Sequence, residues 1–414
     1  MKKVISIMLA LGLVLAMSLM ATPVMGATCM GNSVENCAVT LDNPVECETT
    51  CYNITFDLYS ALSVGDKISI TFPSASIIAA VTAADVTING TAPLAFNVTS
   101  GGEMHIAVNR TFSAGDNVLV RVCNVDNPSP VGSYDVCIKT VWDPCPCCAS
   151  FSVVASGDIS PKTAVWCPCH NVTTTITWAN STNITQVNGW AWGTGNWAVV
   201  GNTLSINCSA IAALGLNACA VLPIQIDFNP GCNRTLTVTI ADAANVSLAA
   251  GWNLMSLPIM PIDTDIEAVL ADVLSDVVSV WYYDGCTDQW GAYKNGAVAD
   301  FGLETMETGK SYWVCMAAPG TLQLCGYALP CPPGSPPCYC YCHCWNMVGF
   351  HSTNTTMNLS DYLANLSPAG SFFGALTWTG ATGWQTVYPS TTMVPGQGYW
   401  MAFTTEPACF APPV

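Results

Sequence analysis

The sequence predicts a mainly β protein, in which tandem β-sandwich domains are followed by two small repeated α+β modules. Three observations predict this fold class: short stretches of alternating apolar and polar residues, turn residues at their ends, and a duplicated motif in the last third of the chain. Alternation with a period of two is typical of antiparallel strands that have one buried face. Glycine, proline, asparagine and aspartate between such stretches favour tight turns.

The N-terminal segment has the order of a secretory signal peptide. Lys2 and Lys3 precede an apolar run that extends to about Met20, and small residues follow it. We therefore expect residues 1–27 to be a signal peptide and the remainder to be exported. A membrane anchor is the alternative, but the run is short and Pro23 follows it.

Two β-rich regions come next. In 28–155, the stretches 68–72 and 118–122 alternate apolar and polar residues, and each follows a Gly-Asp turn. This region is predicted to be a β-sandwich domain. The region 156–247 contains similar stretches, such as 236–240, and is predicted to be a second β-rich domain.

The last third of the chain contains a duplication. Each copy opens with Trp-Asn, at Trp252 and Trp345, and closes with Gly-x-x-Tyr-Trp. Between these motifs, apolar residues recur at i, i+3, i+4 and i+7, which is typical of a helix. Asp265 and Asn358 directly precede the helical patterns and are expected to be their N-caps. The predicted boundaries are 248–330 for the first module, 331–344 for a Pro/Cys-rich linker and 345–414 for the second module.

Charge and cysteine content restrict the class of protein. The chain carries 27 acidic residues against 10 basic ones, a formal net charge of −17. Nucleic-acid binding is excluded, because it requires cations that neutralise phosphates. All 23 cysteines follow the predicted signal peptide, and in an exported protein this density indicates disulfides. An odd count leaves at least one thiol unpaired within the chain, either buried and free or bridged to another molecule.

The cysteines are clustered. Disulfides are the expected state of these clusters, with a soft metal such as Zn²⁺ or Cu⁺ as the alternative. Cys-x-Cys is not the usual spacing of zinc ligands, and Cys-x-x-Cys-His, the haem attachment motif, is absent. Acidic side chains near Asp265 or Asp284 could hold Ca²⁺. No cofactor is therefore predicted. The clustered cysteines are Cys338, Cys340, Cys342, Cys344, Cys145, Cys147, Cys148, Cys167 and Cys169.

Asn-x-Ser/Thr acceptor sites are abundant and predict N-glycosylation. The alternative explanation is a chain whose turns and strands simply favour asparagine, threonine and serine. The thirteen candidate asparagines are Asn53, Asn89, Asn97, Asn109, Asn171, Asn180, Asn183, Asn207, Asn233, Asn245, Asn354, Asn358 and Asn365.

The tryptophans fall into two groups. Trp190, Trp192 and Trp197 lie among glycines and are candidates for stacking on sugar rings, as are Trp290 and Tyr293. Tryptophans at matching positions of the two modules are instead expected to belong to a shared core. These are Trp252, Trp313, Trp345 and Trp400.

Catalysis has little support in the sequence. The chain has four histidines, no His-Glu-x-x-His, no Gly-x-Ser-x-Gly and no phosphate-binding glycine loop. The carboxylates around Asp265 are explained by helix capping. The chain is therefore predicted not to be an enzyme.

The signal peptide, the Gly-Asp strand units and the Gly-Trp-Asn…Gly-x-x-Tyr-Trp modules together resemble exported surface and S-layer-like proteins of anaerobic bacteria or archaea. The resemblance covers most of the chain after the signal peptide. It implies a secreted protein at the cell surface, built from β-sandwich units and small repeated modules. It implies no catalytic residues, and the chain differs from such proteins in its density of cysteines.

The leading hypothesis is a structural cell-surface protein, part of a surface layer, an extracellular filament or a matrix. Its partners would be other copies or other envelope proteins, without a membrane span after signal removal. The first alternative is an adhesin that binds carbohydrate through exposed tryptophans. The second alternative is an extracellular redox protein that carries a metal or haem at its clustered cysteines.

Overall fold

The structure, a computed structural model, describes residues 29, 31–74, 76–191, 193–294, 302–328, 331 and 337–412. The predicted signal peptide at 1–27 lies outside these residues. The chain forms two compact units that divide between Ala155 and Ser156. Among the described residues, no helix is long and apolar enough to cross a membrane.

The N-terminal unit consists of two antiparallel sheets that share one hydrophobic core. The strands are β1 (Glu35–Leu41), β2 (Thr49–Asp57), β3 (Lys67–Thr71), β4 (Val86–Ile88), β5 (Ala95–Val98), β6 (Glu103–Ala107), β7 (Asn117–Asp126), β8 (Gly132–Thr140) and β9 (Cys147–Val153). One sheet has the order β1-β2-β7-β4 and the other β5-β6-β3-β8-β9. Two 3₁₀ helices, Ser76–Ile78 and Ala83–Asp85, precede β4. Alternate residues such as Ile54, Ile70 and Val120 fill the core, as the predicted β-sandwich requires.

The repeated Gly-Asp turns have the same structure in both places. Gly65 and Gly115 adopt positive φ angles of 92° and 86°. The carboxylates of Asp66 and Asp116 accept a hydrogen bond from the backbone N–H three residues earlier, each at 2.8 Å. The two Gly-Asp segments of the sequence therefore form the same turn, which leads into β3 in one case and β7 in the other.

The second unit begins with two further sheets around a core of their own. Its elements are β10 (Asp158–Ser160), β11 (Thr163–Trp166), β12 (Val172–Thr177), β13 (Asn183–Val187), β14 (Trp190–Ala191), β15 (Trp197–Val200), β16 (Thr203–Ile206), α1 (Cys208–Ala212), β17 (Val221–Asn229) and β18 (Asn233–Ile240). The sheet orders are β10-β12-β16-β15 and β11-β18-β17-β13-β14. Only the pairing of β11 with β18 is parallel among the pairings of these described strands.

The two repeated modules complete the second unit. The first contains β19 (Asp242–Leu248), β20 (Gly251–Ser256), β21 (Met260–Pro261), α2 (Ile266–Val269), a 3₁₀ helix (Leu274–Asp276), β22 (Val277–Asp284), β23 (Gln289–Lys294), β24 (Ser311–Met316) and β25 (Gly320–Tyr327). The second contains β26 (Tyr339–Tyr341), β27 (Cys344–Gly349), α3 (Leu359–Tyr362), β28 (Phe372–Thr379), β29 (Gly383–Val387), β30 (Gly398–Phe403) and β31 (Ala408–Phe410). The main sheets, β20-β24-β22-β23 and β27-β30-β28-β29, have the same topology.

The helical part of each module is shorter than the sequence pattern indicates. Helix α2 ends at Val269, and Leu270 is already its C-cap. Val273 is buried in the core although it lies outside any helix. The expected N-caps are confirmed: Asp265 accepts hydrogen bonds from two backbone N–H groups of α2, and Asn358 accepts one from Asp361. The modules are thus mainly β, with one short α-helix each and a 3₁₀ helix in the first.

Disulfides cross-link segments within both units, and four of them connect two strands: Cys37–Cys147, Cys51–Cys123, Cys137–Cys148 and Cys340–Cys409. The N-terminal unit has Cys29–Cys145, Cys37–Cys147, Cys51–Cys123 and Cys137–Cys148, and the second unit has Cys167–Cys325, Cys219–Cys331, Cys286–Cys342 and Cys340–Cys409. The expected disulfide framework is therefore present. Cys286–Cys342 joins the first module to the beginning of the second.

Candidate binding surface of the repeated modules

None of the four module tryptophans is buried, so the expectation that they belong to a shared core is wrong. Trp252 is 45% exposed and Trp345 is 39% exposed, while Trp313 and Trp400 are half-buried. The reason is strand alternation: Met255 and Tyr312 point into the core of the first module. Trp252 and Trp313 therefore lie on the other face of the same sheet.

Six tryptophans from the two modules line one open groove of about 500 Å³. We call it the tryptophan groove, and its residues are Trp252, Trp281, Trp290, Trp313, Trp378 and Trp384. Between 39% and 50% of the surface of Trp252, Trp281, Trp290 and Trp384 is exposed. Isolated exposed apolar residues are ordinary, but a contiguous set of this size indicates an interaction site.

Trp313 is the centre of the groove. Its ring lies 6.2 Å from that of Trp252, 5.8 Å from that of Trp378 and 5.6 Å from that of Trp384, all edge to face. Edge-to-face contacts are favourable between aromatic rings and fix their relative orientation. Trp281 is the direct cross-strand partner of Trp313. The rings of Trp281 and Trp290 are 6.5 Å apart, so Trp281 extends the aromatic surface toward Trp290.

The two modules are held together by equivalent backbone contacts. Equivalent residues are defined by aligning Trp252 with Trp345 and Trp313 with Trp400. The Ser256 N–H donates to the Gly396 carbonyl at 2.9 Å. Its equivalent, the Gly349 N–H, donates to the Gly309 carbonyl at 2.7 Å. The isolated bridges Met255–Gln397 and Lys310–Val348 correspond in the same way. The modules therefore form a pseudo-twofold pair.

The centre of this pair is packed by complementary small residues. Ser256 and Ser311 face each other across the first sheet, and Gly349 and Gly398 occupy the equivalent positions of the second. A Cβ on Gly398 would lie 2.7 Å from the Cβ of Ser311, closer than packed atoms approach. Gly398 therefore makes room for Ser311, and Gly349 makes room for the Lys310 backbone. This close approach brings tryptophans of both modules into one groove.

Hydrogen bonds fix one wall of the groove. The indole N–H of Trp378 donates to the Trp252 carbonyl at 3.2 Å. The side-chain amide of Gln397 donates to the carbonyls of Leu254 and Trp378, at 2.8 and 2.9 Å. The ring of Trp378 is consequently held in place by the first module before any ligand is bound.

A second, more polar pocket of about 530 Å³ meets the groove at Trp378. Asn245, Ser247, Thr379 and Gln397 contribute amide and hydroxyl groups to its lining. The arrangement therefore combines an aromatic surface with neighbouring hydrogen-bonding groups. Such a combination is typical of sites that orient an amphipathic ligand.

The other tryptophan group is placed differently from the expectation. Trp197 is buried, with 4% of its surface exposed, and its indole N–H donates to the Trp190 carbonyl at 2.9 Å. Trp197 therefore belongs to the core of its sheet pair and does not present a face for stacking. Trp190 is half-buried against the same core, and Trp192 lies outside the described residues.

The sequence motifs that frame the groove have structural roles. The Tyr312 hydroxyl accepts the Glu307 N–H at 2.7 Å, and the equivalent Tyr399 hydroxyl accepts the Val394 N–H at 2.9 Å. Burial raises the pKa of Tyr399 to about 12, so this hydroxyl stays neutral. The tyrosine of Gly-x-x-Tyr-Trp thus anchors the preceding loop in each module. The adjacent tryptophan lies on the other face of the strand: Trp313 lines the groove, and Trp400 occupies the equivalent position in the second module.

None of the thirteen acceptor asparagines is buried. Eight are exposed: Asn97, Asn171, Asn180, Asn183, Asn233, Asn245, Asn354 and Asn365. The other five are half-buried and use their amides in hydrogen bonds within the fold: Asn53, Asn89, Asn109, Asn207 and Asn358. Asn207 and Asn358 are helix N-caps, which accounts for part of the chain's asparagine content.

The clustered cysteines divide into paired and free thiols. Six of the nine are in disulfides: Cys145, Cys147, Cys148, Cys167, Cys340 and Cys342. Cys169, Cys338 and Cys344 are free and exposed, and the Cys344 thiol lies 2.9 Å from Nδ1 of His343. Within the described ranges, no three histidine, cysteine or acidic side chains are grouped to hold a metal ion.

Comparison with known proteins finds no family model and no curated protein that matches this chain. Among solved structures, it is similar to BslA, a bacterial hydrophobin, at 18% identity and a TM-score of 0.24, over 30% of this chain and 95% of that one. The BSP domain of a biofilm associated protein matches 73% of this chain and 68% of its own, at 9% identity and a TM-score of 0.21. SGBP-B of a Bacteroides ovatus mixed-linkage glucan utilization locus, in complex with a mixed-linkage heptasaccharide, matches 68% and 82%, at 10% identity and a TM-score of 0.20.

Proposed function

We propose that this chain is an exported surface protein whose paired modules bind a carbohydrate polymer through the tryptophan groove, without catalysing a reaction. The observation that carries the proposal is the set of six tryptophans that line one open groove. Four of them expose more than a third of their surface. Exposed aromatic surface of this extent is unfavourable in water unless a ligand covers it.

The chemistry of the site favours sugar over a purely apolar ligand. A pyranose ring has an apolar C–H face that stacks on an indole, while its hydroxyls remain hydrogen-bonded. The tryptophan groove offers indole surface, and the pocket that meets it at Trp378 offers amides and hydroxyls. A lipid would leave those polar groups unpaired, at a cost in free energy.

The disulfide framework supports export. Disulfides cross-link segments within each of the two units, eight of them in the pairs given above, and such bonds persist in oxidising compartments. An acidic chain of net charge −17 also stays soluble outside the cell while it presents an apolar groove.

The test is binding of the oxidised protein to a panel of insoluble and soluble polysaccharides. Trp384→Ala removes a groove residue that is 50% exposed, and we expect it to weaken binding by about tenfold. Trp384→Phe keeps a ring and should retain most of the affinity. The matched control is Trp142→Ala, which removes a 57% exposed tryptophan from the N-terminal unit. Equal binding by wild type and Trp384→Ala would contradict the proposal.

A second candidate is a structural role in a surface layer, filament or matrix, with other copies or envelope proteins as partners. The observation that favours it is the three exposed free cysteines, Cys169, Cys338 and Cys344, because exposed thiols of an exported protein can form bridges between molecules. Non-reducing electrophoresis of protein from its native envelope tests this role. Ladders that collapse on reduction would support it, and a monomer alone would count against it.

A further inference from the structure

The pseudo-twofold pairing creates a second aromatic cluster that corresponds residue by residue to the centre of the groove. Trp378 and Trp384 are cross-strand partners in the second module, and Tyr283 and Trp290 are the equivalent partners in the first. Trp400 is equivalent to Trp313, because each closes its Gly-x-x-Tyr-Trp motif. We call Tyr283, Trp290 and Trp400 the Trp400 cluster.

The two clusters have similar distances between ring centroids, while their rings are edge to face around Trp313 and tilted around Trp400. In the groove, the ring of Trp313 is 5.8 Å from that of Trp378 and 5.6 Å from that of Trp384. In the Trp400 cluster, the ring of Trp400 is 5.5 Å from that of Tyr283 and 6.1 Å from that of Trp290.

The flanking pairs correspond as well. The rings of Trp378 and Trp384 are 5.7 Å apart, and those of Tyr283 and Trp290 are 5.2 Å apart. In each cluster the central tryptophan comes from one module and both flanking rings come from the other. Each cluster therefore requires both modules.

Trp290 connects the two clusters. It lines the tryptophan groove, where its ring is 6.5 Å from that of Trp281, and it also contacts Trp400. Trp281 has no aromatic equivalent in the second module. It is the cross-strand partner of Trp313, whereas the cross-strand partner of Trp400 is Leu376. The extra indole of the first module thus makes the aromatic surface continuous from Trp384 to Trp400.

The length of this surface restricts the ligand. Trp252, Trp313, Trp281 and Trp290 lie on four adjacent strands of the first sheet. Trp252 and Trp290 lie on the two outer strands, which are separated by three interstrand spacings of about 4.8 Å each. Relative to the Trp313–Trp281 pair, Trp252 and Trp290 are also displaced in opposite directions along the strands. One sugar ring covers only part of this path, so the surface suits an extended chain of rings.

We infer that the ligand is an extended linear polysaccharide chain that runs from the tryptophan groove across Trp290 onto the Trp400 cluster. This inference rests on the proposed function and deepens it. It assigns the Trp400 cluster as a second subsite, which contributes only when the ligand is longer than the groove. Affinity should therefore rise with the number of sugar units beyond the length that fills the groove.

The experiment is calorimetric titration of the full oxidised chain with a series from disaccharide to hexasaccharide, cut from a polysaccharide that binds. Tyr283→Ala removes a ring that belongs to the Trp400 cluster and does not line the groove. We expect this variant to bind the hexasaccharide about tenfold more weakly than wild type and short oligomers equally well. Tyr283→Phe, which keeps the ring and loses the hydrogen bond to Asp288, should behave as wild type.

The outcomes separate the two ideas. If wild type binds the oligomers, Trp384→Ala weakens every length, and Tyr283→Ala changes none, the inference is overturned while the proposed function stands. If wild type binds no polysaccharide or oligosaccharide, the proposed function fails and the inference fails with it. Loss at long lengths only in Tyr283→Ala supports both.

Discussion

Replacing Gly398 with alanine is expected to separate the two modules and to damage both aromatic clusters. Gly398 lies on β30, at the centre of the module pair. A Cβ at this position would lie 2.7 Å from the Ser311 Cβ, 2.8 Å from the Met255 carbonyl oxygen and 3.0 Å from Cγ of Leu254. All three contacts belong to the first module, so relief requires the two sheets to move apart.

The magnitude follows from the rigidity of these neighbours. A backbone carbonyl and a Cβ cannot rotate away, and inserting a methyl group into such a packed interface costs about 1–3 kcal/mol. We expect the free energy of unfolding of the second unit to fall by that amount. Since the clusters take their rings from both modules, polysaccharide binding should weaken as well.

The assay is urea denaturation of the oxidised protein, followed by tryptophan fluorescence. Thirteen of the 14 tryptophans lie after residue 155, so this signal reports mainly on the second unit. Gly374→Ala on the same sheet is the matched control, because a Cβ there meets nothing within 4 Å. It should be neutral or stabilising by up to about 1 kcal/mol. Equal unfolding midpoints for Gly398→Ala and Gly374→Ala would refute the reasoning.

Three further predictions concern acid, glycans and a disulfide. Burial lowers the pKa of His351 from 6.5 to about 4. As the pH falls between these two values, the unfolded chain binds a proton at His351 that the folded chain does not. The free energy of unfolding should fall by about 3 kcal/mol as the pH drops from 6.5 through 4, and urea titrations of His351→Asn should lack this loss. Mass spectrometry of native protein should find glycans at exposed sites such as Asn365 and none at Asn89, whose amide oxygen accepts the Leu119 N–H at 2.6 Å. Removing Cys286–Cys342, which closes a span of 56 residues, should lower the free energy of unfolding by about 4 kcal/mol and weaken polysaccharide binding; unchanged affinity would show that packing alone holds the modules together.

The sequence predicts local structure well where short-range chemistry decides it. Alternation identifies strands such as β3 and β7, the N-caps Asp265 and Asn358 form as expected, and the repeated Gly-Asp turns have one structure. The helix pattern after Asp265 overestimates helix length. Apolar residues at helical spacing also fill a core from a turn, as Val273 does, and periodicity alone does not distinguish the two.

The site depends on contacts between residues far apart in the sequence, which local patterns do not encode. Both faces of β24 carry large apolar side chains, so alternation does not show whether Tyr312 or Trp313 faces the core. One signal was available in the duplication: Ser256 and Ser311 of the first copy align with Gly349 and Gly398 of the second. Reciprocal small residues at paired positions indicate that the two sheets approach each other closely.

Module pairing and ligand binding are thermodynamically linked, because each aromatic cluster is complete only when the modules are paired. A ligand that binds the paired form alone stabilises it by about 2.7 kcal/mol at a concentration one hundred times its Kd. This is similar to the expected cost of the Gly398→Ala methyl group, about 1–3 kcal/mol. Saturating oligosaccharide should therefore restore most of the lost stability in Gly398→Ala. A ligand that bound one module alone would bind equally well to separated modules and would not favour their pairing.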